Sequence, residues 1–214
     1  MMNSSHGIVV FGDVIRSRRD PAGSSEWLRG LCARLEAAYG SDALALFGFT
    51  QGDELQGLLR PTADPLGVVL RAALAEDARP MRWAIARGLV EAGRGPATQR
   101  TGAAFIAARA ALDETRRQRT SLRIVTGEPD IDALLDDLAP VLGSALEQLS
   151  PTQRRVARLI LVEGLRRSEV ADRLEVSRAT VSVAANRGGV PSLERLARAI
   201  RALIERSLIV ELEA

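Results

Sequence analysis

Pro129 divides this sequence into two patterns that one simple architecture cannot hold. Before it, short apolar segments alternate between strand and helix spacing; after it, every segment has helical spacing. The first part opens with GIVVFGD, residues 7–13, a run rich in Ile, Val and Phe that predicts a buried strand ending at Asp13. Beyond the SRRDPAGSS loop, Leu28, Leu31, Cys32 and Leu35 recur at helical spacing between Ser25 and Tyr39. LALFGFT (44–50) and ELQGLL (54–59) predict two strands, and Gln51, Gly52 and Asp53 between them suit a tight hairpin. Residues 64–77 predict a helix, 81–91 a strand, 102–119 an Ala-rich helix and 121–127 a last strand. The expected class is therefore α+β, a mixed sheet with helices packed on it, followed by an all-α region. Residues 1–128 are expected to form the sheet domain, 129–149 a connecting helix and 150–214 a helical domain. Pro140 and Gly143 are expected to kink or break the connecting helix.

Charge and cysteine content narrow the function classes. The 29 basic residues are all arginine, set against 27 carboxylates, and arginine's fork suits phosphate and carboxylate partners. Residues 150–214 hold 12 arginines and 8 carboxylates, whereas residues 1–149 hold 17 and 19, so the positive excess lies in the last third. That is the sign a nucleic-acid-binding module needs for phosphate attraction. One cysteine, Cys32, and one histidine, His6, exclude an internal disulfide framework and a Cys- or His-based metal centre. Cys32 reads as a core residue on its helix. A carboxylate site for a hard cation, magnesium or manganese, stays open. No stretch reaches the roughly 18 apolar residues of a membrane span, and the first residues lack a signal peptide's pattern. A cytoplasmic location away from membranes is expected.

In the second part, Ser150-Pro-Thr-Gln153 combines a capping residue, proline at the first helical position and a glutamine placed to reach back to the cap. SEVADRL then predicts a short helix, and EVSRATVS a turn, an N-cap at Ser177 and a third helix. Ala171, Leu174, Val176 and Val181 fall at the offsets that hold two crossed helices together, which leaves Arg178, Thr180, Ser182, Asn186 and Arg187 for the outer faces. The unit resembles the helix-turn-helix of bacterial regulators and sigma-factor-like domains. It departs from that motif at Glu175, where a glycine often supplies a left-handed turn residue. The resemblance implies that Ser177 caps a recognition helix and offers its amide end to a phosphate. Arg178 and Ser182 then face base edges, and Arg187 the backbone. From Ser192, Leu193, Leu196, Ala197, Ile200, Leu203 and Ile204 form a stripe suited either to closing the bundle or to pairing with a second subunit.

In the first part, Asp13 and Asp53 each stand at a strand edge, and pairing of the hairpin with the first strand would set two carboxylates side by side for a divalent ion. The alternative is that one caps a loop and the other makes a turn. Arg16, Ser17 and Arg18 follow Asp13 directly and offer donors for phosphate. VVFGDVIRSR, GFTQGDELQGLL, MRWAIARGLVE and GPATQRTGAAFIAARAAL resemble the successive motifs of the SatD family over about residues 7–126. More distantly they are similar to class III nucleotidyl cyclases. That resemblance implies a ferredoxin-like sheet, metal-binding aspartates at Asp13 and Asp53, and a triphosphate facing the backbone after Asp13. Such cyclases also carry an Asn and, four residues later, an Arg on the helix after the fourth strand. Arg109 matches the second place, but Phe105 stands in the first, and no lysine exists to read a base. An apolar ring cannot hydrogen-bond a developing charge. Arg109 can equally be a solvated or salt-bridged arginine.

Three readings follow. In the first, the chain is a DNA-binding transcriptional regulator whose sheet domain senses a nucleotide with a divalent metal; palindromic sites make it a homodimer. In the second, it is a metal-dependent cyclase or other nucleotide-processing enzyme with a regulatory helical domain. Phe105 weighs against the second. In the third, it is a ligand-independent interaction protein in which both aspartates are structural.

Overall fold

The computed structural model describes residues 4–50 and 53–213. Five strands form one mixed sheet: β1 (Ser4–Val14), β2 (Ala43–Phe49), β3 (Glu54–Leu59), β4 (Met81–Glu91) and β5 (Leu122–Val125), in the order β2-β3-β1-β4-β5. β1 lies antiparallel to both β3 and β4, and β5 joins parallel to β4. Helix α1 (Pro21–Tyr39) links β1 to β2, α2 (Pro65–Ala73) links β3 to β4, and α3 (Ala103–Gln118) links β4 to β5. The first four strands thus follow the ferredoxin-like βαββαβ order, with two split crossovers. The residues expected at the hairpin turn, Gln51 and Gly52, lie outside the described residues.

Strand alternation assigns the two faces of the sheet. Val9, Phe11, Leu58, Ala84 and Ala86 pack under α3 through Ala104, Phe105, Ala108 and Leu112. Ile8, Val10, Leu55, Leu59, Trp83 and Ile85 face the other side, against α1, α2 and the helices that follow β5. Cys32 lies within this second cluster, and burial pushes its thiol up to about 11, with the Glu36 carboxylate adding to the shift. The lone cysteine is a core residue rather than a reactive one.

α1 begins earlier than its apolar spacing suggests. Asp20 accepts a hydrogen bond from the Gly23 amide at 3.0 Å, and Pro21 takes the first helical position, so the segment read as loop is the first turn of the helix. α2 is shorter than expected, ending at Ala73.

The helical region contains α4 (Pro129–Glu147), α5 (Pro151–Leu161), α6 (Arg167–Leu174), α7 (Arg178–Arg187) and α8 (Val190–Glu213). Contrary to expectation, α4 runs unbroken through Pro140 and Gly143. Its buried stripe of Ile131, Leu135, Ala139, Leu142 and Leu146 holds it in place across the proline, which removes a single backbone donor. Gly143 serves packing, because a Cβ there would run into the Ser121 hydroxyl and come within 3.3 Å of the Leu122 Cβ at β5.

The α8 stripe closes the bundle. Leu193, Ala197, Ile200 and Ile204 are buried in the same apolar cluster as α4, so this stripe is not free to pair with a second chain. The cluster is continuous from the sheet to the helical region, and polar contacts reinforce it. The Arg87 guanidinium on β4 donates to the Ser207 carbonyl at 2.6 Å, and Arg201 holds Asp64 ahead of α2 through Nε and Nη2 at 3.0 and 2.7 Å. Among the described residues, no helix is long and apolar enough to cross a membrane.

Candidate functional site

The candidate nucleic-acid interface is built by capping. Ser150 Oγ accepts from the Gln153 amide at 3.4 Å while Gln153 Oε1 accepts from the Ser150 amide at 2.9 Å, which starts α5 at Pro151. The Arg166 amide donates to Glu169 Oε2 at 2.6 Å at the start of α6. Ser177 Oγ accepts from the Thr180 amide at 3.0 Å at the start of α7.

Between α6 and α7 the turn is Glu175, Val176 and Ser177. Glu175 takes the left-handed conformation, φ 54° and ψ 42°, that the motif normally gives to glycine. Replacing it with glycine is expected to stabilise the fold by up to about 1 kcal/mol, since the native backbone already suits glycine and the side chain is exposed. Urea unfolding of Glu175→Gly checks this, and a loss of stability would show that the Glu175 side chain supports the turn.

The inner seam is Val170, Ala171, Val181 and Ala185, all buried where α6 and α7 pack on each other and on α5. Val176, expected in that seam, is instead 41% exposed, because the left-handed residue before it turns the chain outward. Arg178, Thr180, Asn186 and Arg187 are exposed, and Ser182 is half-buried. Thr180 Oγ1 lies 2.8 Å from Ser177 Oγ, and Asn186 Oδ1 accepts from Arg167 at 3.3 Å, so both are already engaged within the motif. Arg178 and Arg187 have no ion-pair or hydrogen-bond partner among the described residues. Exposed guanidinium groups in that state are free to meet phosphate or a base edge.

At the end of β1 the hairpin does pair with the first strand, but the carboxylate level with Asp13 is Glu54. Asp53 lies one residue further, where its carbonyl accepts from the Val14 amide at 3.1 Å and its carboxylate accepts from the Ser17 hydroxyl. Ser17 is buried in a short 3-10 turn, Ser17–Arg19, while Arg16 and Arg18 are exposed. Arg16 precedes the turn in a left-handed conformation, φ 62°.

Asp13 accepts from Arg116, at 3.0 Å between Oδ1 and Nη2 and 3.3 Å between Oδ2 and Nε, and Arg82 Nη1 stands 3.8 Å from Oδ2. Glu54 is gripped by both terminal nitrogens of Arg109 and accepts from Gln56 at 2.8 Å. The Glu54 carboxylate holds Arg109 above its usual range, as Asp13 does Arg116. Arg109 also lies 4.9 Å over the Phe11 ring, and Phe11 meets Phe105 edge-on at 6.0 Å between centroids. Phe105 is therefore a core residue, and Arg109 a salt-bridged one.

Asp13 sits between two guanidinium groups, and no group of three or more His, Cys, Asp or Glu gathers anywhere among the described residues. Sequence reasoning missed Glu54, Arg82 and Arg116. Glu54 depends on the register of β1 against β3, which no local signal carries, whereas the seven-residue spacing from Arg109 would have located Arg116 on the same helix face.

With this geometry in view, one comparison bears on the helices. Residues 141–188 match sigma-70, region 4. The sigma-70 region 4 match starts inside α4 and ends just after α7, so it contains the whole capped helix-turn-helix. A search of curated proteins gives no match. Two solved structures of a bacterial light-regulated adenylyl cyclase are similar to the chain. One is 16% identical over 57% of this chain and 76% of that one, with a TM-score of 0.43. The other is 15% identical over 58% and 44%, with a TM-score of 0.41. A regulator of polyketide synthase expression from Bifidobacterium adolescentis is 17% identical over 94% and 81%, with a TM-score of 0.26. The ferredoxin-like description of the sheet rests on the strand order, not on these likenesses.

Proposed function

We propose that this chain is a DNA-binding transcriptional regulator whose sheet domain recognises a nucleotide. The observation that carries the reading is the capped helix-turn-helix within the sigma-70 region 4 match, with Arg178 and Arg187 exposed and unpaired on its last helix. In this reading α7 enters the major groove with Arg178 and Ser182 toward base edges. Ser177 and Arg187 meet the backbone, and Thr180 and Asn186 brace the helix from within. A homodimer reading two half-sites fits such a module.

Arg178→Ala is expected to weaken binding to a selected duplex by roughly ten- to a hundredfold while leaving the melting temperature unchanged. Fluorescence anisotropy measures the first and thermal unfolding the second. Equal affinity of the variant would remove Arg178 from the interface.

For the sheet domain, the exposed Arg16 and Arg18 beside the Ser17–Asp53 hydrogen bond support an anion site, and the more distant cyclase resemblance, which sets a triphosphate against the backbone after Asp13, supports the same end of the sheet. Magnesium or manganese enters this reading as the ion that accompanies a nucleotide's phosphates, with Asp13 and Asp53 as the carboxylates the resemblance assigns to it. A nucleoside triphosphate with manganese is expected to raise the apparent melting temperature, because a ligand that binds only the folded chain stabilises it. Arg16→Ala combined with Arg18→Ala is expected to abolish that shift. An undiminished shift in the double variant would place the nucleotide elsewhere.

A further inference from the structure

On the face of the sheet opposite the Asp13–Glu54 network, a cavity of about 250 Å³ opens between the sheet and the helical region. Its apolar walls come from Trp83 and Met81 on β4, Val69 and Ala73 on α2 and Leu146 on α4. Its polar lining includes Arg154 on α5 and Glu147 at the end of α4. Arg79 also lines it but is committed to Asp20 at 2.9 Å and Ser24 at 3.2 Å.

Arg154 is half-buried, and it is one of five described side chains with a buried nitrogen that lacks a hydrogen-bond partner. Its Nε is buried without a hydrogen-bond partner, and no ion pair or other hydrogen bond engages the side chain among the described residues. A buried, unpaired guanidinium nitrogen costs free energy, and at a cavity wall it is a donor open to a ligand's acceptor. Glu147 is exposed, makes no ion pair among the described residues, and sits in the last turn of α4, where the helix carbonyls also favour positive charge.

We infer that this cavity binds a small zwitterion with an apolar body, the class of an α-amino acid with an aromatic or aliphatic side chain. The carboxylate pairs with Arg154, the ammonium faces Glu147 and the helix terminus, and the side chain lies against Trp83 and Leu146. The volume suits a ligand of that size and is small for a nucleotide. Because the walls belong to both the sheet and helices within or beside the sigma-70 region 4 match, occupancy bears on how the two are held together.

The test is calorimetric titration of the full chain with L-phenylalanine and L-leucine, beside 3-phenylpropionate, which lacks the amine, and phenethylamine, which lacks the acid. At least one amino acid is expected to bind saturably at one site, and more tightly than either truncated probe. Arg154→Met should weaken that binding roughly tenfold or more. The same variant should keep or raise the melting temperature, since it removes a buried nitrogen that has no partner. Asp53→Ala should bind normally, which separates this site from the nucleotide reading. Absence of saturable binding by both amino acids, or unchanged affinity in Arg154→Met, overturns the inference. A marked fall in the stability of Arg154→Met overturns it too, because the arginine would then be structural.

Discussion

Gly102→Ala is expected to destabilise the fold by about 2–4 kcal/mol, a large share of the 5–15 kcal/mol typical of a whole domain. Gly102 precedes α3 with φ 138°, a conformation that L side chains rarely adopt. A methyl group there would lie 2.7 Å from both the Leu89 carbonyl oxygen and the Val90 Cα, and 3.0 Å from the Glu91 nitrogen. All three are backbone atoms of β4, so no side chain can rotate away to make room. The neighbouring bond from the Glu91 amide to the Thr101 carbonyl, 2.9 Å, pins the same two segments together. Relief would therefore require the strand end to separate from the loop that starts the helix. Urea unfolding measures the effect, and Ala103→Gly serves as a control that tests helix propensity alone. A loss for Gly102→Ala no larger than that of the control would contradict the geometry.

Glu54→Ala is expected to cost about 2–3 kcal/mol, at the lower edge of the range for breaking a buried pair. Glu54 is 6% exposed and accepts three hydrogen bonds, two from Arg109 and one from Gln56. Removing it leaves the Arg109 guanidinium over the Phe11 ring without its carboxylate. Arg109 is the more exposed partner, with 43% of its side chain accessible, and water recovers part of the loss. Adding Arg109→Ala should restore part of the stability, because the stranded charge is then gone. A double-mutant cycle reads this as a coupling energy. Additive losses in the two single variants would show that the pair contributes nothing jointly.

The network around Glu54 also illustrates what the sequence makes legible. The strands, their order along the chain and the helix-turn-helix follow from apolar spacing and capping residues, and Met81–Glu91 forms a strand with the predicted bounds. Sheet neighbours are not written in such local signals. The expectation of Asp13 beside Asp53 located the right two strand ends, but the carboxylate level with Asp13 depends on register, and register belongs to tertiary pairing. α4 shows the reverse case. Pro140 and Gly143 look like breakers in isolation, yet one is tolerated by a well-buried helix and the other is required by the close approach of Ser121. The early start of α1 was present in the sequence as Asp20-Pro21, a cap followed by proline, but Gly23 and two serines masked it.

The two parts of the chain are also joined more closely than their different patterns suggest. Glu76, just beyond α2, stands 3.6 Å from Arg155 and 3.7 Å from Arg158 on α5, and Arg201 on α8 grips Asp64. These exposed or half-exposed pairs add orientation more than stability. The buried contact from Arg87 to Ser207 and the shared apolar cluster do the holding. The sheet domain therefore touches α5 through the segment after α2, and α8 through β4 and Asp64.

Selection of random duplex DNA by the full chain, followed by titration of the enriched sequence over a range of salt concentrations, shows whether the helix-turn-helix reads a DNA sequence. The DNA-binding reading predicts convergence on a short motif, with log affinity falling linearly against log salt as counterions leave the phosphates; Arg178→Ala should weaken binding to that motif roughly ten- to a hundredfold and lower the salt slope by no more than about one. Failure to enrich any sequence, with binding as weak as to unselected DNA at every salt concentration, would contradict it.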